Sequence, residues 1–106
     1  MARYLIQGSY TTEGLKGVLK EGGTGRRAAV EAAVKAFGGK LEAYYFAFGE
    51  SDVCLIVDGL DNVSVAALSM GIAATGTATA RTTVLLTPEE IDEASKKTLS
   101  FRAPGR

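Results

Sequence analysis

The stretch that decides the fold runs from residue 44 to residue 57 and reads Tyr44-Tyr45-Phe46-Ala47-Phe48-Gly49-Glu50-Ser51-Asp52-Val53-Cys54-Leu55-Ile56-Val57. Its first half is rich in aromatic residues, and its second half is aliphatic and mostly β-branched. Such side chains favour the pleated, half-buried surface of a strand, whereas Gly, Ser and Asp favour a turn. The stretch therefore predicts a hairpin of two antiparallel strands, from Leu41 to Phe48 and from Asp52 to Val57.

Upstream of the hairpin, the sequence predicts a strand over residues 3–10 and then a broken helix. Alternation places Tyr4, Ile6 and Gly8 on one face of the strand and Leu5, Gln7 and Ser9 on the other. Thr11-Thr12-Glu13 is a helix start with a hydroxyl cap and an acid in the first turn. Glu21-Gly22-Gly23 interrupts the helix, and Gly38-Gly39 ends its second piece.

Downstream, Asp58-Gly59 predicts a turn, and residues 63–75 form a helix built largely from small residues. A Thr- and Val-rich run over residues 77–86 predicts the last strand. Thr87-Pro88-Glu89-Glu90 then starts a short helix that reaches about Lys97. The order predicts an α+β, ferredoxin-like βαββαβ sandwich with a broken first helix and a short C-terminal helix. Residues 1–97 form one domain, and residues 98–106 a mobile tail.

Composition excludes several classes of function. Twelve basic and twelve acidic residues give a formal charge of zero, which argues against a nucleic-acid partner. The chain has no histidine, and its N-terminus lacks the apolar core of a signal peptide. We therefore expect no metal site, no cofactor and no membrane partner. A single cysteine, Cys54, cannot form an internal disulfide, so a reducing, cytoplasmic location is expected.

Helices on one face of the predicted sheet leave the other face open. The residues assigned to the open face are Leu5, Gln7, Ser9, Glu42, Tyr44, Phe46, Phe48, Thr77, Thr79, Arg81 and Thr83, with the third strand contributing either Val53, Leu55 and Val57 or Asp52, Cys54 and Ile56. The two hairpin strands are apolar on both faces, unlike strands with one wet face. This predicts a homodimer, or a higher oligomer, whose sheets pack face to face. The alternative is a monomer whose terminal helix covers the sheet.

Six residues are candidates for ligand binding: Gln7, Tyr10, Glu42, Tyr44, Asp52 and Arg81. Asp52 is either a turn residue that satisfies backbone donors or a carboxylate at a pocket mouth. Arg81 lies mid-strand, where it is either ion-paired or solvated, or else a clamp for an anion. Tyr44 belongs either to an interface or to a ligand platform, and Tyr10 either to a cleft edge or to helix capping. Arg26 and Arg27 start a helix, where cations oppose the helix dipole, so a binding role is an alternative for them.

Several stretches, taken in order, resemble the GYD domain family of small bacterial and archaeal proteins. They are Tyr10-Thr11-Thr12-Glu13-Gly14, Arg26-Arg27, Phe37-Gly38-Gly39-Lys40-Leu41, Phe48-Gly49-Glu50-Ser51-Asp52-Val53, Val57-Asp58-Gly59-Leu60-Asp61, Gly76 and Arg81-Thr82-Thr83-Val84-Leu85. The resemblance implies a ferredoxin-like fold related to dimeric α/β barrels, and no established reaction. In the Gly-Tyr-Asp motif Ser51 replaces the tyrosine, so no role of that tyrosine carries over.

The predicted sheet has two apolar faces, and the sequence contains no catalytic set of residues. These features predict a homo-oligomeric module that binds a small ligand or has a regulatory role, without catalysis. The alternative is a cofactor-free monooxygenase or isomerase of the dimeric α/β-barrel type. It would act on a small anionic or aromatic substrate, with Arg81 holding the anion and Asp52, Glu42 or Tyr44 serving as the acid–base group.

Overall fold

A computed structural model describes residues 2–106 of the chain. It contains four strands and three helices, in the order β1 (Ala2–Tyr10), α1 (Thr12–Ala36), β2 (Lys40–Phe46), β3 (Val53–Leu60), α2 (Asn62–Ala74), β4 (Ala78–Leu85) and α3 (Pro88–Ser95). The strands form one antiparallel sheet in the order β2-β3-β1-β4. This is the predicted α+β, ferredoxin-like arrangement, with two βαβ halves joined at the β2–β3 hairpin.

The predicted break in α1 is confirmed at Gly22, which has φ +80° and ψ 168°. Only glycine adopts this conformation without strain, so the helix changes direction there. The helix begins at a Thr11 cap, whose hydroxyl accepts a 3.2 Å hydrogen bond from the Gly14 amide. Gly14 lies so close to β4 that a Cβ atom would come within 1.9 Å of the Thr77 carbonyl oxygen. Glycine at this position therefore lets the start of α1 pack directly against the chain before β4.

The core lies between the sheet and the helices. Tyr4 and Ile6 of β1 are buried there, as predicted, and their register partners Val57 and Leu55 of β3 are buried beside them. The remaining buried apolar residues are Val34, Val53, Leu60, Val65 and Leu68. The pairing places Val53, Leu55 and Val57 on the helix side. The third strand therefore contributes Cys54 and Ile56 to the open face.

The prediction that Tyr44 and Phe46 lie on the open face is wrong. The register shifts between Leu41, which pairs with Val57, and Ala43, which pairs with Ile56. This β-bulge at Glu42 adds one residue to β2 and reverses the side on which every later residue points. Tyr44 consequently pairs with Leu55 on the helix side and Phe46 with Val53, while Tyr45 lies on the open face. Phe48 lies beyond the end of β2 and is fully exposed.

The end of the third strand also differs from the prediction. The strand continues through Asp58 and Gly59 to Leu60, and Gly59, with φ +79°, lies opposite the register shift between Ala2 and Arg3. The terminal helix does not cover the open face, since every residue from Pro88 to Arg102 is exposed. Within the described chain the open face therefore has no helical cover, and Leu5, Gln7, Ser9, Cys54 and Ile56 on it are half-buried.

Candidate functional site

A small cavity lies between the sheet and helices α1 and α2, near the C-terminal end of β1. Its volume is about 70 Å³, which is room for a few water molecules or a group of similar size. We call it the inner cavity. Its apolar lining comprises Ile6, Val30, Val53, Leu55, Leu68 and Ile72, and its polar lining includes Tyr10, Arg26, Tyr44, Ser69 and Thr77. An apolar wall with a few convergent polar groups is the usual composition of a small-molecule site.

Two phenol groups meet in the inner cavity. The hydroxyl oxygens of Tyr10 and Tyr44 are 3.4 Å apart, a long and therefore weak hydrogen bond. Burial raises the pKa of Tyr44 far above its ordinary value, and the hydrogen bond with Tyr10 raises it further. Tyr44 therefore stays a neutral phenol at physiological pH. It can donate or accept a hydrogen bond there, but it cannot serve as a base.

Arg26 brings a positive charge to the same cavity. It lies in the part of α1 that follows the break at Gly22, and its Nη1 atom is 3.4 Å from Glu21 Oε1 on the other side of that break. Its positive charge favours the ionised form of Tyr44 and so opposes part of the rise in pKa that burial causes. Nη1 of Arg26 thus donates a hydrogen bond to Glu21, and the residue also lines the inner cavity.

A wider, more open hollow adjoins the inner cavity on the other side of Tyr10. Its volume is about 440 Å³, and we call it the outer hollow. Its lining consists of Tyr10, Leu15, Val18, Gly23, Phe46, Ala47, Phe48 and Asp52. Leu15 and Phe46 are 53% and 41% exposed here, so the first half of α1 covers the sheet loosely. Pockets that bind drug-sized molecules measure roughly 300–1,000 Å³, and the outer hollow is of that size.

Asp52 fastens the hairpin loop to the end of β1. Its Oδ2 atom accepts a 2.8 Å hydrogen bond from the amide of Tyr10, and its own amide donates to the carbonyl of Gly8. The carboxylate also lines the outer hollow. Asp52 thus satisfies a backbone donor and stands at the mouth of a hollow, so both sequence-based interpretations describe part of its position.

The other three candidates lie away from the cavity. Gln7 and Arg81 are register partners on the open face, where Arg81 Nη2 donates a 2.9 Å hydrogen bond to Ser51 Oγ. Glu42 lies at the bulge, where its carboxylate is 3.1 Å from Arg3. The sheet therefore divides the six candidates into Tyr10, Tyr44 and Asp52 near the helix-side cavities and Gln7, Glu42 and Arg81 on the open face.

Two residues of interest were not among the six candidates, although a binding role for Arg26 was an alternative. Arg26 carried a signal in the sequence, namely a cation at the start of a helix, but its approach to Tyr44 depends on the direction of α1 after the break. Ser51 gave no signal, although it is the one buried polar side chain among residues 2–106, at 6% exposure. Its hydroxyl accepts a hydrogen bond from Arg81, a residue thirty positions later in the chain, which no local pattern around Ser51 indicates.

Comparison with known proteins agrees with the resemblance seen in the sequence. The family model of the GYD domain matches residues 4–95, which is most of the chain. The chain belongs to the GYD domain family. Neither the curated proteins nor the solved structures gave a match to it.

The loop that carries the family motif, Gly49–Asp52, connects the two faces of this GYD domain. Asp52 binds the backbone at Tyr10, on the side of the inner cavity, and Ser51 binds Arg81 on the open face. With serine in place of the motif's tyrosine, the loop provides a small hydroxyl that accepts a hydrogen bond from Arg81. In this chain the motif therefore anchors the loop to β1 and β4.

Residues 2–106 of this GYD domain contain no group of three or more Cys, Asp or Glu side chains placed to hold a metal ion. In the same residues, no helix has both the length and the apolar character needed to cross a membrane.

Proposed function

We propose that this GYD domain is a homo-oligomeric module that binds a small, largely apolar molecule carrying one hydroxyl or carboxylate group. The apolar body of the ligand lies in the outer hollow, and its oxygen atoms reach the inner cavity past Tyr10. Binding takes place without catalysis and serves recognition or regulation.

The observation that carries this proposal is the pair of tyrosine hydroxyls in an apolar cavity. Buried tyrosine hydroxyls normally find a good hydrogen-bond partner. The 3.4 Å contact between Tyr10 and Tyr44 satisfies neither hydroxyl well. A ligand oxygen placed near both would accept or donate at normal distances, and Arg26 beside them favours an oxygen that carries negative charge.

The test is binding of 4-hydroxybenzoate and phenol, measured by calorimetry, together with native mass spectrometry of the purified protein for a retained molecule. Tyr44→Phe removes one hydroxyl and keeps the ring. We expect it to weaken binding of 4-hydroxybenzoate about tenfold, as for loss of a hydrogen bond to a charged group. Tyr45→Phe is the matched control, because Tyr45 is 70% exposed on the opposite face. Absence of a retained molecule and of binding by either probe would overturn the proposal.

The open face supports the homo-oligomeric part of the proposal. Leu5, Cys54 and Ile56 lie on it beside the exposed ring of Tyr45, and no helix within residues 2–106 packs over them. A second copy that brings the same face would bury this apolar surface in an isologous interface. Sedimentation should therefore show a species larger than the 11.1 kDa chain.

The matched variants for the oligomer are Tyr45→Lys on the open face and Val63→Lys on α2, where Val63 is 78% exposed. Both add one lysine at an exposed apolar site. Tyr45→Lys should shift sedimentation toward the monomer, whereas Val63→Lys should not. Equal behaviour of the two variants would count against pairing through the sheet.

The alternative function, a cofactor-free monooxygenase or isomerase, has less support. It needs an arginine and an acid–base group around one substrate. Tyr44 and Asp52 line the helix-side cavities. Glu42 lies on edge strand β2, whereas Arg81 lies on the opposite edge strand β4. Turnover of hydroxy-acid or quinol substrates that is lost in Arg81→Ala, while the protein stays folded, would favour this alternative.

A cytoplasmic location also belongs to the proposal, because the chain has one thiol and no possible internal disulfide. Fractionation of cells that express the native gene tests it, and recovery of the protein outside the cytoplasm would contradict it.

A further inference from the structure

The C-terminal arm, residues 87–106, extends away from the body of the domain. The radius of gyration of the chain is 17.0 Å, compared with about 13 Å for a compact domain of this length. The longest dimension is 57 Å, against 33 and 23 Å for the other two. Every residue from Pro88 to Arg102 is exposed. The arm therefore gains little from packing against its own chain.

The sequence of the arm nevertheless contains strong signals for a helix at its start. Thr87 and Glu90 form a complete capping box at the start of α3, and Pro88 occupies the first helical turn. An eight-residue helix is too short to be stable alone in water. The arm also carries Ile91, Leu99 and Phe101, which are 51%, 80% and 68% exposed. A well-capped but short helix followed by exposed apolar side chains would gain stability by packing against another surface.

The charges of the arm divide into two halves of opposite sign. The first half carries Glu89, Glu90, Asp92 and Glu93, and the second half carries Lys96, Lys97, Arg102 and Arg106. None of the ion pairs in residues 2–106 includes any of these eight side chains. The acidic half lies within the GYD family match, which ends at residue 95, and the basic half lies beyond it.

We propose that the arm binds the arm of a second copy of the chain, with the two arms antiparallel about a two-fold axis. In this arrangement the acidic half of each arm faces the basic half of the other, and Ile91 of one approaches Leu99 and Phe101 of its partner. A two-fold interface must be complementary to itself, and two halves of equal and opposite charge meet that condition. A parallel arrangement would place like charges together.

We call this pairing of two antiparallel arms the clasp, and charge-reversed variants of the full chain test it. Asp92→Lys with Glu93→Lys makes the arm predominantly basic, and Lys96→Glu with Lys97→Glu makes it predominantly acidic. Alone, each variant should self-associate about tenfold more weakly than the parent at low salt, because like charges now face each other. Mixed in equal amounts, the two variants should form a heterodimer, visible by native mass spectrometry. Lys16→Glu with Lys20→Glu, an equal charge change on α1, is the control.

A distance measurement separates the clasp from pairing through the sheet. With Cys54→Ser as background, a spin label at Ser95→Cys lies between the two halves of the arm. The clasp predicts one narrow distance between labels of the two protomers, lost in either charge-reversed variant alone and recovered in the mixture. A dimer with a broad distance distribution, or unchanged self-association in both variants, would overturn the clasp and leave pairing through the sheet intact. A monomeric parent protein would overturn both.

Discussion

The guanidinium of Arg81 donates a 2.9 Å hydrogen bond to the hydroxyl of Ser51, and so joins edge strand β4 to the loop before β3. The bond passes over β1, which lies between the two strands in the sheet. Ser51 is buried at this point, so its hydroxyl depends on Arg81 for a partner. The loop of the GYD motif is therefore held by a residue on the open face.

We expect Ser51→Ala to lower the free energy of unfolding by about 1 kcal/mol, and Arg81→Ala by about 1–3 kcal/mol because it leaves the buried hydroxyl of Ser51 without a partner. The double variant should lose less than the sum of the two, because both substitutions remove the same contact. Urea denaturation of all four proteins measures the coupling. Strict additivity would show that the bond contributes nothing to stability.

Placing the tyrosine of the family motif at position 51 should lower the stability of this chain. Ser51 is only 6% exposed, and a phenol ring placed there must displace Arg81 or the loop itself. We expect Ser51→Tyr to cost about 1–3 kcal/mol of stability, as for other overpacked sites. Glu50→Tyr, at the exposed neighbouring position, is the control and should be near neutral. A stabilised Ser51→Tyr protein would mean that the loop has room for the ring.

Two glycines of α1 should respond in opposite directions to alanine. At Gly14 a Cβ atom would lie 1.9 Å from the Thr77 carbonyl oxygen, whereas at Gly17 it meets nothing within 4 Å. Gly14→Ala should therefore cost about 3 kcal/mol by forcing α1 away from the chain before β4. Gly17→Ala should instead add about 0.8 kcal/mol through helix propensity. Thermal unfolding distinguishes these outcomes, and a harmless Gly14→Ala would contradict the close packing.

The sequence predicted the order of elements and failed at one point of register. Alternation in β1, the glycine break at Gly22 and the capping box at Thr87 are local signals, and each appears in the structure as predicted. The bulge at Glu42 has no such signal, because both faces of β2 are apolar and either register looks acceptable in the sequence. That single extra residue moved Tyr44 from the open face to the cavity. The approach of Arg26 to Tyr44 depends on the relative placement of α1 and β2, which no local pattern encodes.

The role of Asp52 can be tested by comparing the variants Asp52→Asn and Asp52→Ala. Asp52→Ala leaves the Tyr10 amide without its 2.8 Å acceptor and should cost about 1–2 kcal/mol. Asp52→Asn retains an acceptor oxygen, so it should stay close to the parent in stability and in affinity for 4-hydroxybenzoate. Urea denaturation and calorimetry provide the two measurements. If Asp52→Asn changes affinity strongly and leaves stability unchanged, the carboxylate acts on the ligand and is more than a backbone anchor.

The half-buried phenol of Tyr44 should make the protein sensitive to alkaline pH. Its folded-state pKa is raised above the unfolded value of about 10, so the neutral form contributes stability that is fully present below that pH. As the pH rises above about 10, the unfolded state releases the proton more readily than the folded state, and the free energy of unfolding falls. Tyr44→Phe removes this titration and should show a shallower decline above about pH 10, measured by urea denaturation at each pH. Tyr45→Phe, on the opposite face, should decline as steeply as the parent, and an equally steep decline in Tyr44→Phe would show that burial of Tyr44 does not control the alkaline limit.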